Sequence, residues 1–161
     1  MQTFGSSRDG GAFNFLALAD IHNSVAGAGT DNAEQNGAFV DRKDYTSVDV
    51  YLAFTATLAA AATLTLVANL QDSADGSNGI ADFTLGGKSV PSTVIATGPG
   101  GGGTVTGLVY LGRWDLTMAK RFVRVQFTTD LSASGTDTAS VAAFYSFNGG
   151  RELPIQTPLN A

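Results

Sequence analysis

His22 is the only imidazole in the chain, and it stands in Asp20-Ile21-His22-Asn23-Ser24. Aspartate, histidine and serine are the side chains a hydrolase uses to activate a nucleophile. Residues this close in sequence rarely reach that relay geometry, and no Gly-x-Ser-x-Gly elbow occurs anywhere in the chain. His22 is therefore expected to be a solvated loop histidine. Asp72, Asp75 and Asp82 offer carboxylates for a calcium loop, but Asp72-Ser73-Ala74-Asp75-Gly76 lacks the alternate-position ligands and closing glutamate of that motif. Turn-forming Asp and Gly account for it better. The run Gly98-Pro99-Gly100-Gly101-Gly102-Gly103 is followed by neither Gly-Lys-Ser/Thr nor a helix start, so it does not make a phosphate cradle. It reads as a flexible loop or one ordered by a partner. Glu34 and Glu152 are the only glutamates and do not form a recognisable acid/base pair. Lys120, Arg121 and Arg124 are the nearest approach to a basic cluster. They read either as solvated charges at a strand start or as an ion-pairing surface towards an acidic protein neighbour. These patterns point away from an enzyme and call for no cofactor or metal.

The elements that would position these residues are strands. Val48, Val50, Leu52 and Phe54 alternate with Asp49, Tyr51, Ala53 and Thr55, and Leu64, Leu66, Ala68 and Leu70 alternate with Thr63, Thr65, Val67 and Asn69. Period-two alternation puts one set on a buried sheet face and the other on the opposite face. Leu58-Ala59-Ala60-Ala61-Ala62 between them is too short to nucleate a helix and is expected to turn the chain between two antiparallel strands. A dense turn signal at 71–79 leads to short strands near 80–85 and 92–97. Further strands are expected at Val105–Trp114, at Phe122–Thr129 with Val123, Val125 and Phe127 inward, and at Thr138–Phe147 with Val141, Ala143, Tyr145 and Phe147 inward. Phe144 on the opposite face implies that this last strand is covered on both sides. With no helical period of any length, the expected fold is all-β, an antiparallel β-sandwich or jelly-roll-like body over residues 45–147. Residues 1–44 read as an N-terminal arm or long loop with room for one short strand. Residues 148–161, carrying Pro154 and Pro158, read as an extended C-terminal tail.

Composition narrows the function classes. Of 161 residues only 14% are charged, against roughly 25% in an average soluble protein, which fits a surface partly covered by a partner. The net charge of −5 and nine scattered Lys and Arg do not supply a phosphate-gripping patch, so no nucleic-acid partner is expected. The chain has no cysteine, no apolar run long enough to span a membrane, and no signal-peptide pattern at its start. Synthesis and use in the cytoplasm, or release by lysis, is the expectation.

Two stretches carry a resemblance. Tyr45-Thr46-Ser47-Val48-Asp49-Val50 and the strands after it lead to Leu70-Gln71-Asp72-Ser73-Ala74-Asp75-Gly76-Ser77. Further on, Tyr110-Leu111-Gly112 precedes Lys120-Arg121-Phe122-Val123-Arg124-Val125. Together they resemble the small head-decoration (cement) proteins encoded beside the major capsid protein of siphophages, with their "Q-[DE]-S-x-D-G-S" hairpin and "Y-x-G … K-R-Y-V-R-V" signature. Phe122 stands where that signature has Tyr, and the 114–119 segment is longer. The resemblance covers roughly residues 40–155 and implies a homotrimer on the outside of a phage capsid, binding the major capsid protein. It brings no catalytic residues. In that role the candidate contacts are Phe13, Phe15, Lys120, Arg121, Arg124, Arg151, Pro154 and Pro158. Two other classes compete: a carbohydrate- or receptor-binding module using Tyr110 and Trp114, and a tail-tube or head-completion protein.

Overall fold

Long runs of alternating apolar residues can bury one face only by forming sheets, and two such sheets close a core between them. The computed structural model describes residues 31–84, 89–133 and 135–149, together with the backbone of 14–15, 22–25 and 28–29. The strands are β1 (Asn14–Phe15), β2 (His22–Val25), β3 (Ala28–Gly29), β4 (Glu34–Asn36), β5 (Val40–Asp41), β6 (Ser47–Leu58), β7 (Thr63–Ser73), β8 (Ala81–Asp82), β9 (Val90–Thr97), β10 (Gly103–Asp115), β11 (Phe122–Leu131) and β12 (Thr138–Asn148). All pairings are antiparallel. One sheet runs β10-β6-β12-β2-β3, with β1 also on β12. The other runs β4-β11-β7-β8, with β5 also on β11 and β9 also on β7.

The all-β, antiparallel sandwich expectation holds, and the inward residues are those the alternation selects. Val48, Val50, Leu52, Ala143, Tyr145 and Phe147 from the first sheet meet Leu64, Leu66, Leu70, Val123, Val125 and Phe127 from the second, all buried. Tyr145 also ties the sheets by a polar bond: its buried hydroxyl accepts a hydrogen bond from the Val125 N–H at 2.6 Å. Burial pushes the Tyr145 phenol up, so it stays neutral.

Three details differ from the sequence reading. The Ala59–Ala62 turn exists, closed by Ala62 N–H to Ala59 C=O at 3.1 Å, but β6 and β7 enter opposite sheets. Alternation reports which face is buried and is silent on which sheet a strand joins. The segment assigned to an arm contributes strands to both sheets: β1 and β2 pair with β12, and β4 and β5 with β11. His22 accordingly has its backbone in β2, opposite Val141, rather than in a loop. Third, the glycine-rich loop after β9 is held by its own chain. Gly98 N–H donates to Ala62 C=O at 2.8 Å, and Gly102 N–H donates to Pro99 C=O at 2.8 Å.

A break in β10 sets the face of everything after it. From Thr104 to Tyr110 the even residues point outward, which would carry Trp114 outward too. The register shifts between Tyr110 and Gly112, where Gly112 takes φ +135°. This one-residue bulge reverses the alternation. Arg113 is thereby exposed and Trp114, at 1% exposure, lies in the core. A side chain at Gly112 would meet that backbone strain, so Gly112→Val is expected to lower stability by about 1–3 kcal/mol. Denaturant unfolding followed by Trp114 fluorescence should show a lower midpoint with an unchanged slope.

Candidate partner-binding surface

The pairing of β7 with β11 brings the two motif stretches together. Phe122 lies opposite Ser73, Val123 opposite Asp72 and Arg124 opposite Gln71. Because Gln71 and Arg124 occupy facing outward positions, the Arg124 Nε and Nη2 both donate to Gln71 Oε1, at 2.9 and 2.8 Å. Gln71 Nε2 in turn donates to Asp82 Oδ1 at 2.9 Å, which fixes β8 beside β7. Asp72 is buried and accepts the Lys120 backbone N–H at 3.0 Å, while Lys120 Nζ sits 2.9 Å from its other oxygen and donates to Gly79 C=O at 3.0 Å.

The loop between the strands is organised by two residues. Buried Ser73 accepts from Gly76 N–H at 3.0 Å and donates to Asn78 C=O at 2.6 Å. Asp75 accepts from Asn78 N–H at 2.7 Å, Ser77 N–H at 2.8 Å and Asn78 Nδ2 at 2.9 Å. These donors, the Asn78 side chain foremost, hold the Asp75 carboxyl well below the usual carboxylate range. Gly76 passes over the Phe122 ring.

The basic cluster is therefore bonded within the chain. Arg121 forks onto Asp41 Oδ2 at 2.7 and 2.9 Å, which clips β5 to β11, and its guanidinium lies 5.2 Å from the Phe122 ring centre. Arg124 also lies 4.8 Å from the Phe39 ring centre. Arg42 Nε donates to Lys120 C=O at 2.9 Å and its Nη2 to Ala119 C=O. Of the other candidate contacts, Phe15 has its backbone in β1, and Phe13, Arg151, Pro154 and Pro158 lie outside the described residues.

A second feature, not signalled by any motif, occupies the outer face of the other sheet. Tyr110, Tyr51 and Phe144 are cross-strand neighbours on β10, β6 and β12. Their rings form a row, with Tyr51 5.2 Å from each neighbour and nearly parallel to Phe144 at 13°. Phe144, which the sequence points to as a covered residue, is half-buried and stacks on Tyr51. Beside the row, Asp49 is 6% exposed and accepts four bonds. They come from Tyr110 OH at 2.7 Å, Arg113 Nε at 3.1 Å, Arg113 Nη2 at 2.7 Å and Asn148 Nδ2 at 2.8 Å. Burial alone would raise the Asp49 carboxyl, but these donors and the Arg113 charge outweigh it and hold the group below the usual range. The same hydrogen bond to Asp49 leads the causes that push the Tyr110 phenol up to about 12. Asp49 is an outward residue of an alternating strand, a position that reads as solvent, so alternation alone does not signal this network.

On the second sheet a groove of about 460 Å³ is lined by residues that include Glu34, Asn69, Asp82, Thr84, Gln126 and Thr128. Among the described residues no group of three or more His, Cys, Asp or Glu is placed to hold a metal ion, and no helix is long and apolar enough to cross a membrane. Asp72, Asp75 and Asp82, the would-be calcium ligands, instead each accept hydrogen bonds from the protein. Trp114 lies in the core, so of the two stacking residues a receptor module would use only Tyr110 is exposed, at 54%.

No protein-family model matches this chain, and no curated protein does. Among solved structures, the infectious bursal disease virus VP2 subviral particle is similar at a TM-score of 0.43 with 10% identity, over 86% of this chain and 32% of that one. The infectious bursal disease virus Gx strain structure gives 0.42 and 14%, over 87% and 32%. A CBM4 structure gives 0.34 and 13%, over 82% and 77%. The chain thus spans about a third of the length of the viral chains it matches. Scores and identities this low carry no functional argument.

Because Asp49 titrates below its ordinary value, its contribution to stability is present above about pH 4 and is lost as pH falls through the depressed folded value. Asp49→Asn is expected to cost about 1–3 kcal/mol at pH 7 and to flatten that part of the acid branch. Urea midpoints of both proteins between pH 7 and pH 2 check this; parallel acid branches would contradict it.

Proposed function

We propose that the chain is a virion structural protein without enzymatic activity, a decoration or cement protein that binds the outside of a phage capsid and stabilises the shell. The observation that carries this reading is the interlock of the two motif stretches. Gln71 with Arg124, Asp72 with Lys120 and Gly76 with Phe122 join them residue by residue. These segments of the resemblance meet on the second sheet, while its Ser47–Val50 and Tyr110–Gly112 segments pair on the first. Phe122, in place of the usual Tyr, lies with its ring beside Gly76 and under the Arg121 guanidinium.

The physics of such a role agrees with the surface. A cement protein works by burying additional interface across the joints between capsid subunits, and binding to the assembled state alone stabilises it by mass action. Few charges and many small and hydroxyl side chains allow close approach, and large apolar side chains such as Leu108, Val94 and Met118 stand exposed. In this reading the major capsid protein is the partner, copies cluster at three-fold positions, and Phe13, Phe15, Arg151, Pro154 and Pro158 with the Lys120–Arg124 end of β11 touch the shell. Repetition over a lattice raises overall avidity above that of each contact.

Purified protein added to undecorated heads is expected to bind saturably, at a fixed ratio to the capsid subunit, and to raise the temperature at which heads lose DNA. Absence of binding at micromolar concentration would contradict the reading.

A further inference from the structure

A sheet edge is a row of unpaired N–H and C=O groups, and proteins usually blunt it with short strands, proline, bulges or charge. Three of the four sheet edges here are treated that way. The first sheet ends at one side in β3, of two residues. The second ends in β4 and β5, of three and two residues, and at the other side in β8, of two residues, and β9, which carries Pro91 and two register shifts. The fourth edge is β10, of thirteen residues. Its stretch Gly103–Tyr110, ahead of the bulge at Gly112, contains neither charge, proline nor register shift, and among the described residues no strand pairs with its outer side. Leu108 and Tyr110 on that strand are 61% and 54% exposed. Tyr110 is also the terminal ring of the aromatic row, so the row ends at this open edge.

We infer that two copies of the chain pair antiparallel through the outer edge of β10, joining their first sheets into one continuous sheet. The edge selects its own copy for three reasons. Without charge between Gly103 and Gly112 it offers a partner backbone hydrogen bonds and apolar contact, which another uncharged strand of equal length completes. A strand pairing antiparallel with itself generates a two-fold axis and needs no second surface. About that axis both outer faces lie on the same side, so Leu108 and Tyr110 of one copy meet those of the other and the two aromatic rows are covered where they end. Arg113 and Asp115, beyond the bulge, lie outside the paired stretch. One strand edge is a small interface, so the dimer is weak and concentration-dependent, as suits copies crowded on a common surface. The inference does not depend on which surface that is.

Because the chain lacks cysteine, single-cysteine variants at Thr106, Leu108 and Tyr110 each carry one thiol. At least one of them is expected to form a disulfide-linked dimer at least about tenfold faster than Val94→Cys, an equally exposed position on β9. Sedimentation velocity of the unaltered chain should show a monomer–dimer equilibrium at about 100 µM, weakened at least tenfold by Leu108→Lys and unchanged by Val94→Lys. A chain that stays monomeric at that concentration overturns the inference. So does association insensitive to Leu108→Lys, or cross-linking no faster on β10 than at Val94. Any of these leaves the capsid reading standing, and loss of head binding with dimers intact would leave the inference standing.

Discussion

The register between β7 and β11 is the constraint on which the rest of the molecule hangs. Side-chain faces alternate, so a slip of one residue would turn Val123, Val125 and Phe127 to solvent and drive Arg124 and Gln126 into the core. In the observed register the inward residues close the core, and the outward Gln71 and Arg124 bond directly. Four pieces of chain then take their positions from this pair. Ser73 and Asp75 fold the loop beyond β7, Gln71 fixes β8 through Asp82, Lys120 anchors the turn before β11 to Asp72, and Arg121 holds β5 through Asp41. A buried carboxylate such as Asp72 is tolerable because a cation and a backbone N–H both face it.

The first sheet is organised by the bulge at Gly112. Without it Trp114 would leave the core and Arg113 would point inward. With it Arg113 forks onto Asp49, and Asp49 becomes the acceptor that also orients Tyr110 and Asn148. Lys120, Arg121 and Arg124, read from the sequence as solvated charges or as an ion-pairing surface, serve internal bonds, and so does Arg113: each has an acidic or amide partner in the chain. The described surface presents to a neighbour these paired but exposed charges among apolar area and hydroxyls, with one open strand edge. Such a surface gains most where copies or partners are held close in fixed geometry, which is the setting the capsid reading supplies.

The strands and their inward faces were legible because period-two alternation is a direct record of one-sided burial. Val48 to Phe54, Leu64 to Leu70, Val123 to Phe127 and Val141 to Phe147 all lie inward as the pattern says. The division into sheets was not legible, since alternation does not encode neighbours, and β6 and β7 went to different sheets across a four-alanine turn. The bulge was hidden for a related reason: Val105 to Trp114 reads as one unbroken strand until Gly112 takes a positive φ. Glycine-rich, polar residues before Tyr45 looked too weak to fold alone, yet β4 and β5 need only complete the edge of a sheet already formed by β7 and β11. As for the candidate surface, the motif residues were visible, but that Lys120, Arg121 and Arg124 spend their charge internally depended on partners about 50 to 80 positions away.

The central claim is that this sandwich serves on the outside of a capsid. Electron microscopy of virions carrying a label on this chain locates it directly. The account predicts label over the head exterior, repeated with the symmetry of the shell; label confined to the tail, or absent from particles, would contradict it.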